Sequence, residues 1–394
     1  MIRPHLHFHL GTFFPHHLTR AVKRLFESVG ILGFAISAVT IFEPIYLYTL
    51  GYSLRSIVGY YLLVYVLYAL LLPFGAACTA RIGYTRGMLI GSLLFIPYYL
   101  ALFGIEKYPW LFLLAPALFA MQKMFYWPAY HADFSRFSTN DEVGREIGEA
   151  SLVVTIVSII GPIVGGAIVA MCGFPILFLF VIVLITLSNL PLLHVQRKNE
   201  QESLRPRDLI RFLRKKEHRR MVTGYAGYGE ELIYMVLWPI FLYTIVHGVF
   251  RVGAIMTAAA VLVSLLLLAI GRWVDHNRPQ PIIYASSIAI SMSSFLRIIA
   301  VSLPLFLFAE SSYRISRAML DLPLLTDLYR RAKNVGFLAT ATLFEMGLSM
   351  GKIVVALALI GILSLGPVSW ETVFLLGAVT ALLFTRLRQR ETTT

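Results

Sequence analysis

Glu310, Arg314, Arg317 and Asp321 follow one another at spacings of four, three and four. At about 100° per residue a helix sets all four within roughly 60° of one face. The surrounding stretch reads as a membrane-spanning helix, and an ionised side chain at a bilayer centre costs about 2.5–3.5 kcal/mol on insertion scales. Two acids and two bases on one face therefore pair with each other or look into a wet interior. The chemistry this suits is passage of a charged solute or a proton, with acids that exchange protons beside bases that clamp anions.

Other ionisable residues sit in apolar surroundings. Glu43 precedes Pro44 and reads as a proton or cation site, the plainer alternative being a hydrogen-bonded kink residue. Glu230 and Glu231 point about 100° apart, so at most one aims squarely at any central path. Glu345 and Lys352, seven apart, share a face and serve as a structural ion pair or as solute contacts. Lys123 is a second cation for an anionic solute, or a side chain snorkelling to the surface. Arg297, near a span end, reads as a snorkelling arginine. Within the stripe, Arg317 and Asp321 form an inner bridge, whereas Glu310 and Arg314 lie deeper and are the better solute candidates.

The elements that carry these residues follow from composition. Of 394 residues 58% are hydrophobic and 14% charged, with a mean hydropathy of +0.75, against about 45–50% and 25% in soluble domains. Apolar runs of about 20 residues match a hydrocarbon core of about 30 Å. Spans are expected at roughly 28–50, 56–77, 87–105, 109–130, 149–172, 174–194, 221–246, 250–270, 281–301, 303–325, 336–362 and 368–386, twelve in all. An amphipathic helix over 18–27 leads into the first. With the N-terminus inside, the inner segments hold nearly all the basic residues, including ten between Arg197 and Arg220, and the outer loops keep Arg55, Lys107 and Arg251. That asymmetry obeys the positive-inside rule and accounts for the net charge of +13 without a nucleic-acid partner. Cys78 and Cys172 imply neither a disulfide framework nor a metal site, and the histidines at 5, 7, 9, 16 and 17 read as a tail in place of a signal peptide.

The polar stretch 195–220 alternates Leu209, Ile210, Phe212 and Leu213 with bases, an amphipathic helix for the inner leaflet. It separates two copies of a repeat. Glu43-Pro-Ile-Tyr-Leu-Tyr-Thr49 matches Trp238-Pro-Ile-Phe-Leu-Tyr-Thr244 at an offset of 195, which also aligns Pro128 with Pro323. Two parallel six-span halves, residues 1–194 and 221–394, follow. The stripe's counterparts at that offset are Ala115, Phe119, Gln122 and Tyr126, so the stripe belongs to the second half alone.

With these residues in view, the chain resembles the major facilitator superfamily over essentially its whole length. The family's loop motif G-x-x-x-D-R/K-x-G-R/K-R/K is matched by Gly271-Arg-Trp-Val-Asp275-His-Asn-Arg278, and in degraded form by Arg81-Ile-Gly83-Tyr-Thr-Arg86, where Ala76 and Ala80 replace the glycine and the acid. The resemblance implies a cytoplasmic latch at these loops. Gly148 and Gly161-Pro162-Ile-Val-Gly165-Gly166 resemble the antiporter motif of span five, with Val157 in place of its second glycine. Drug–proton antiporters of the family carry a membrane arginine in span four, where this chain has Pro116 and then Gln122-Lys123. The resemblance also implies that spans one, four, seven and ten line a central cavity, which would hold Glu43, Lys123, Glu230, Glu231 and the stripe.

The expectation is an all-α transporter of a small organic solute that rocks one half against the other. It is a monomer in the plasma (inner) membrane, termini cytoplasmic, with protons as partners and no cofactor. Export by proton antiport through Glu43 and Glu345 is the first reading. Symport or exchange of an organic anion clamped by Arg314, Arg317 and Lys352 is the second. A membrane enzyme or scaffold is disfavoured, because Asn140-Asp141-Glu142 and His218 are isolated and Gly224–Gly229 opens a span in place of following a strand.

Overall fold

The computed structural model describes residues 20–137, 159–193, 204–276, 279–366 and 368–387, and among these the regular elements are all helical. They run α1 (Arg20–Val39), α2 (Phe42–Thr49), α3 (Leu54–Ile82), α4 (Tyr84–Gly104), α5 (Leu111–Phe137), α6 (Ile159–Cys172) and α7 (Phe174–Leu193). Two short basic helices follow, α8 (Pro206–Leu213) and α9 (Lys216–Tyr225). The next span is irregular: a 3-10 turn Ala226–Gly229, α10 (Glu230–Leu232), a π segment Ile233–Leu237, then α11 (Trp238–Val246). The chain closes with α12 (Val249–His276), α13 (Pro279–Ile298), α14 (Leu303–Val335), α15 (Phe337–Ser364), α16 (Trp370–Ala381) and a 3-10 turn Leu382–Arg386.

Seven helices are long and apolar enough to cross a membrane among the described residues. The other five expected spans fall on α5, α6, α12, α14 and α16, whose described apolar stretches are shorter or interrupted by charge. The bundle is apolar outside as well as inside. Leu70, Phe74, Leu113, Val183, Val354 and Leu357 stand exposed, while Glu43, Glu230, Glu310, Glu345 and Lys352 are buried. That is the arrangement hydrocarbon solvent demands.

Local chemistry sets the breaks. Pro44 has no N–H to give the Thr40 carbonyl, and the helix is interrupted there between α1 and α2. Pro239 likewise has no N–H to give the Met235 carbonyl, which lies inside the π segment. Gly83 takes φ 91 to turn α3 into α4, a conformation that only glycine adopts without strain. From Arg20 on, the expected helix at 18–27 is the start of α1, continuous with the first span.

Helices α1–α5 and α7 pack chiefly on one another, and so do α9–α16. The two groups meet where α15 lies against α3 and α5, α14 against α5, and α2 against α11. They also meet where Ile163 of α6 donates its N–H to Thr257 of α12 at 3.1 Å. Small residues allow the closest approaches: a Cβ on Gly165 would strike the Ala38 carbonyl, and one on Gly351 the Ala226 carbonyl. Helix α8 buries Leu209 completely and touches both α3 and α15, with Arg207 and Arg211 exposed.

Candidate transport site

The stripe on α14 lies on one face, as its spacing requires, and splits into two pairs. Glu310 is fully buried and takes hydrogen bonds from Arg314 Nε at 2.6 Å, the Tyr234 hydroxyl at 2.7 Å and the Trp238 indole at 3.0 Å. Three donors on one carboxylate are what its burial requires. Arg314 keeps its other nitrogens towards a partly open surface, with Met256 Sδ 3.9 Å from Nη2.

Arg317 is the hub. Its Nη1 binds Glu230 at 2.7 Å, its Nε binds Asp321 at 3.0 Å and its Nη2 lies 3.7 Å from Glu231, while the Tyr228 ring sits 4.2 Å from Cζ. Asp321 also accepts from the Tyr228 hydroxyl at 2.8 Å, so the expected inner bridge is part of a larger network. Glu231 holds Lys352 at 2.6 Å. Both glutamates of the doublet are therefore engaged, on different partners, because the helix is locally irregular and Arg317 reaches across it. Of the two readings of Glu345 and Lys352, the ion pair between them does not form. Seven residues put them on one face but two turns apart, and each finds a nearer partner on another helix.

Arg297 corrects a further expectation. It does not snorkel, because α13 turns it inwards, and only 1% of its surface is exposed. Its guanidinium lies among Tyr234, Trp238 and Tyr313, at 5.1, 5.0 and 4.4 Å from the ring centroids. Its Nε and Nη2 have no hydrogen-bond partner, and neither has Oε2 of Glu230. The three rings hold the cation on their faces while Tyr234 and Trp238 donate to Glu310 and Tyr313 donates to Glu230 at 3.1 Å. Four carboxylates (Glu230, Glu231, Glu310, Asp321) thus share one region with four cations (Arg297, Arg314, Arg317, Lys352). A desolvated cation–π contact is worth about 2 kcal/mol. Arg297→Leu is expected to lower the melting temperature in detergent, and Arg297→Lys to restore only part of it, since an ammonium cannot stack on three rings.

Glu43 is enclosed differently. It is 4% exposed and accepts from the Tyr98 and Tyr99 hydroxyls, each at 2.8 Å, with no cation in ion-pair contact among the described residues. Glu345 on α15 reaches across to the first group, taking the Tyr68 hydroxyl at 2.9 Å and lying 3.3 Å from Nε2 of His131 on α5. Nδ1 of His131 is 3.4 Å from the Tyr329 hydroxyl on α14. Four helices from both groups are thus tied through His131 and Glu345.

Lys123 is half-buried and forms no ion pair among the described residues. Its Nζ lies 4.6 Å from the Phe119 ring centroid, 5.6 Å from Tyr65 and 5.8 Å from Trp127.

Arg81 and Arg86 are exposed at the turn made by Gly83. Gly271 and Asp275 fall on α12, where side chains lie outside the described residues, as do Gly148 and Arg278 entirely. Gly161, Pro162, Gly165 and Gly166 form the face of α6 against Ser37, Ala38, Phe42, Phe250 and Gly253, which is close helix packing.

Sequence reasoning missed His131, Tyr68 and the Tyr98–Tyr99 doublet. His131 was legible as an ionisable residue in an apolar run, four residues from Trp127. The tyrosines carry no such signal, since aromatic residues are common in spans.

A family model described as Major Facilitator Superfamily matches residues 25–341. Among solved structures, the crystal structure of a mutant of the nucleoside transporter NupG is similar in fold, with a TM-score of 0.68 and 15% identity, covering 93% of this chain and 98% of that one. No curated protein matches the chain. The helices, the charges they bury and the family match over most of the length agree: the chain belongs to the Major Facilitator Superfamily, whose members are membrane transporters of small molecules and not enzymes.

Proposed function

We propose that the protein is a proton-coupled secondary transporter of a small organic solute, exporting it by alternating access. Twelve spans in two parallel six-helix halves, 1–194 and 221–394, rock about the central charges, joined by the basic linker 195–220. The working form is a monomer in the plasma (inner) membrane, with both termini cytoplasmic.

The observation that carries coupling is the Glu345–His131 bridge with Tyr68 and Tyr329. It joins helices from both groups, so it survives only while they are together at that end, and its strength changes when either partner gains or loses a proton. Glu43, with two tyrosine donors and no cation in contact, supports a second proton-carrying group. The glycine face of α6 supports export by its likeness to the antiporter motif.

The test uses proteoliposomes and a solute found by thermal-shift screening at two pH values. An imposed pH gradient is expected to speed solute movement in the wild type. Glu345→Gln should remove that response while leaving solute–solute exchange, and Glu43→Gln should weaken it. Unchanged coupling in both variants sinks the proton reading.

A second reading, transport of an organic anion, has its own support. Arg314, Arg317 and Lys352, the expected clamps, are each bound to a carboxylate, whereas Lys123 is not.

A further inference from the structure

Two membrane cations lack a carboxylate partner among the described residues, and they differ in access. Arg297 is sealed between three rings and closed to any solute. Lys123 is only half-buried, on α5 at the junction with α3 and with α15 of the second group. Tyr65 of α3 carries Lys123 near one part of its ring at 5.6 Å and Lys352 at 4.9 Å. Lys352 is already paired with Glu231 at 2.6 Å, whereas Lys123 feels Glu43 and Glu231 only from beyond contact distance. An ammonium in a low-dielectric wall with only π faces in direct contact gains from an anion placed against it. The faces themselves offer a flat apolar surface on which a ring stacks offset or edge-on.

We infer that Lys123, with Tyr65, Phe119 and Trp127, is a binding site for a small aromatic monoanion, the ammonium taking the carboxylate and the three rings the flat body. A single ammonium without a carboxylate in contact favours one negative charge over two, since a dianion would have to strip Lys352 from Glu231. A neutral ring solute would leave the ammonium without its anion and gain only the stacking. The inference rests on the anion reading of the transport site and names its solute class. It needs neither proton coupling nor a direction of transport.

Purified full-length protein is titrated with benzoate, benzamide, acetate and adenosine by isothermal calorimetry, and Trp127 quenching is followed in parallel. Benzoate is expected to bind at least tenfold more tightly than benzamide, adenosine or acetate. Lys123→Gln should weaken benzoate at least tenfold and leave benzamide unchanged, while Lys123→Arg, which keeps the charge and the fold, retains most of the affinity. Trp127→Phe should keep binding and lose most of the fluorescence signal. Equal affinities for benzoate and benzamide, no benzoate binding at all, or benzoate affinity unchanged in a folded Lys123→Gln protein would each overturn the inference. Benzoate binding is read at equilibrium with no pH gradient imposed, so that failure of this site and failure of proton coupling give different results.

Discussion

Arg317→Gln is expected to be among the most damaging single substitutions in the chain, lowering stability by about 3–5 kcal/mol. Arg317 is the one group on which Glu230 and Asp321 converge by direct bonds and to which Glu231 lies close. The cost of removing a buried charge is set by what it leaves behind, and here that is carboxylates in a low-dielectric interior. Glu230 suffers most, because its other oxygen already has no partner. Thermal unfolding in detergent should show a drop of several degrees in Arg317→Gln. The double variant Arg317→Gln/Glu230→Gln should recover part of it, since one uncompensated carboxylate is then neutral. A double variant no more stable than the single one would mean that Arg317 acts by packing on Tyr228 and not by charge.

Gly165→Val should abolish assembly of a folded transporter. The site is backbone against backbone: even a Cβ at Gly165 would meet the Ala38 carbonyl and the Phe42 ring. Overpacking commonly costs about 1–3 kcal/mol, and more where the obstacle is a carbonyl that cannot swing aside. Gly51→Ala is the comparison with open space around it, where any loss comes from φ 87 alone. Size-exclusion chromatography of the two variants separates the effects. A monodisperse Gly165→Val protein with wild-type melting would show that α6 is free to move away from α1.

How much of this was written in the residues depends on how unusual each residue is in its surroundings. Glu310, Arg314, Arg317 and Asp321 were legible as one face because charge is rare in an apolar run and helical spacing is fixed. Their partners were harder to read. Glu231 chooses Lys352, and Arg317 reaches Glu230, because an irregular stretch from Ala226 to Leu237 shifts the register by which angles are counted. Arg297 was read as snorkelling from its place near a span end. What turned it inwards was three aromatic rings on two other spans, a long-range arrangement with no local signature. His131 was overlooked because its charge is conditional, although that is the property that suits it to a bridge between groups.

The two interrupted spans have a mechanical consequence. The break at Thr40 and Ile41 and the π segment Ile233–Leu237 fall at matching positions of the repeat, each beside a proline, Pro44 and Pro239. Beyond these points α2 and α11 lean on each other, with Tyr48 and Tyr243 meeting edge to face at 6.4 Å. Each arm is thus hung from a joint lacking one backbone hydrogen bond, so bending there costs less than in the regular turns beside it. The pair has the form of a caliper, with α2 and α11 as jaws and bending cheapest at the two elbows; Glu43 sits on one jaw just past its elbow, and Glu310 is bound to Trp238 beside the other.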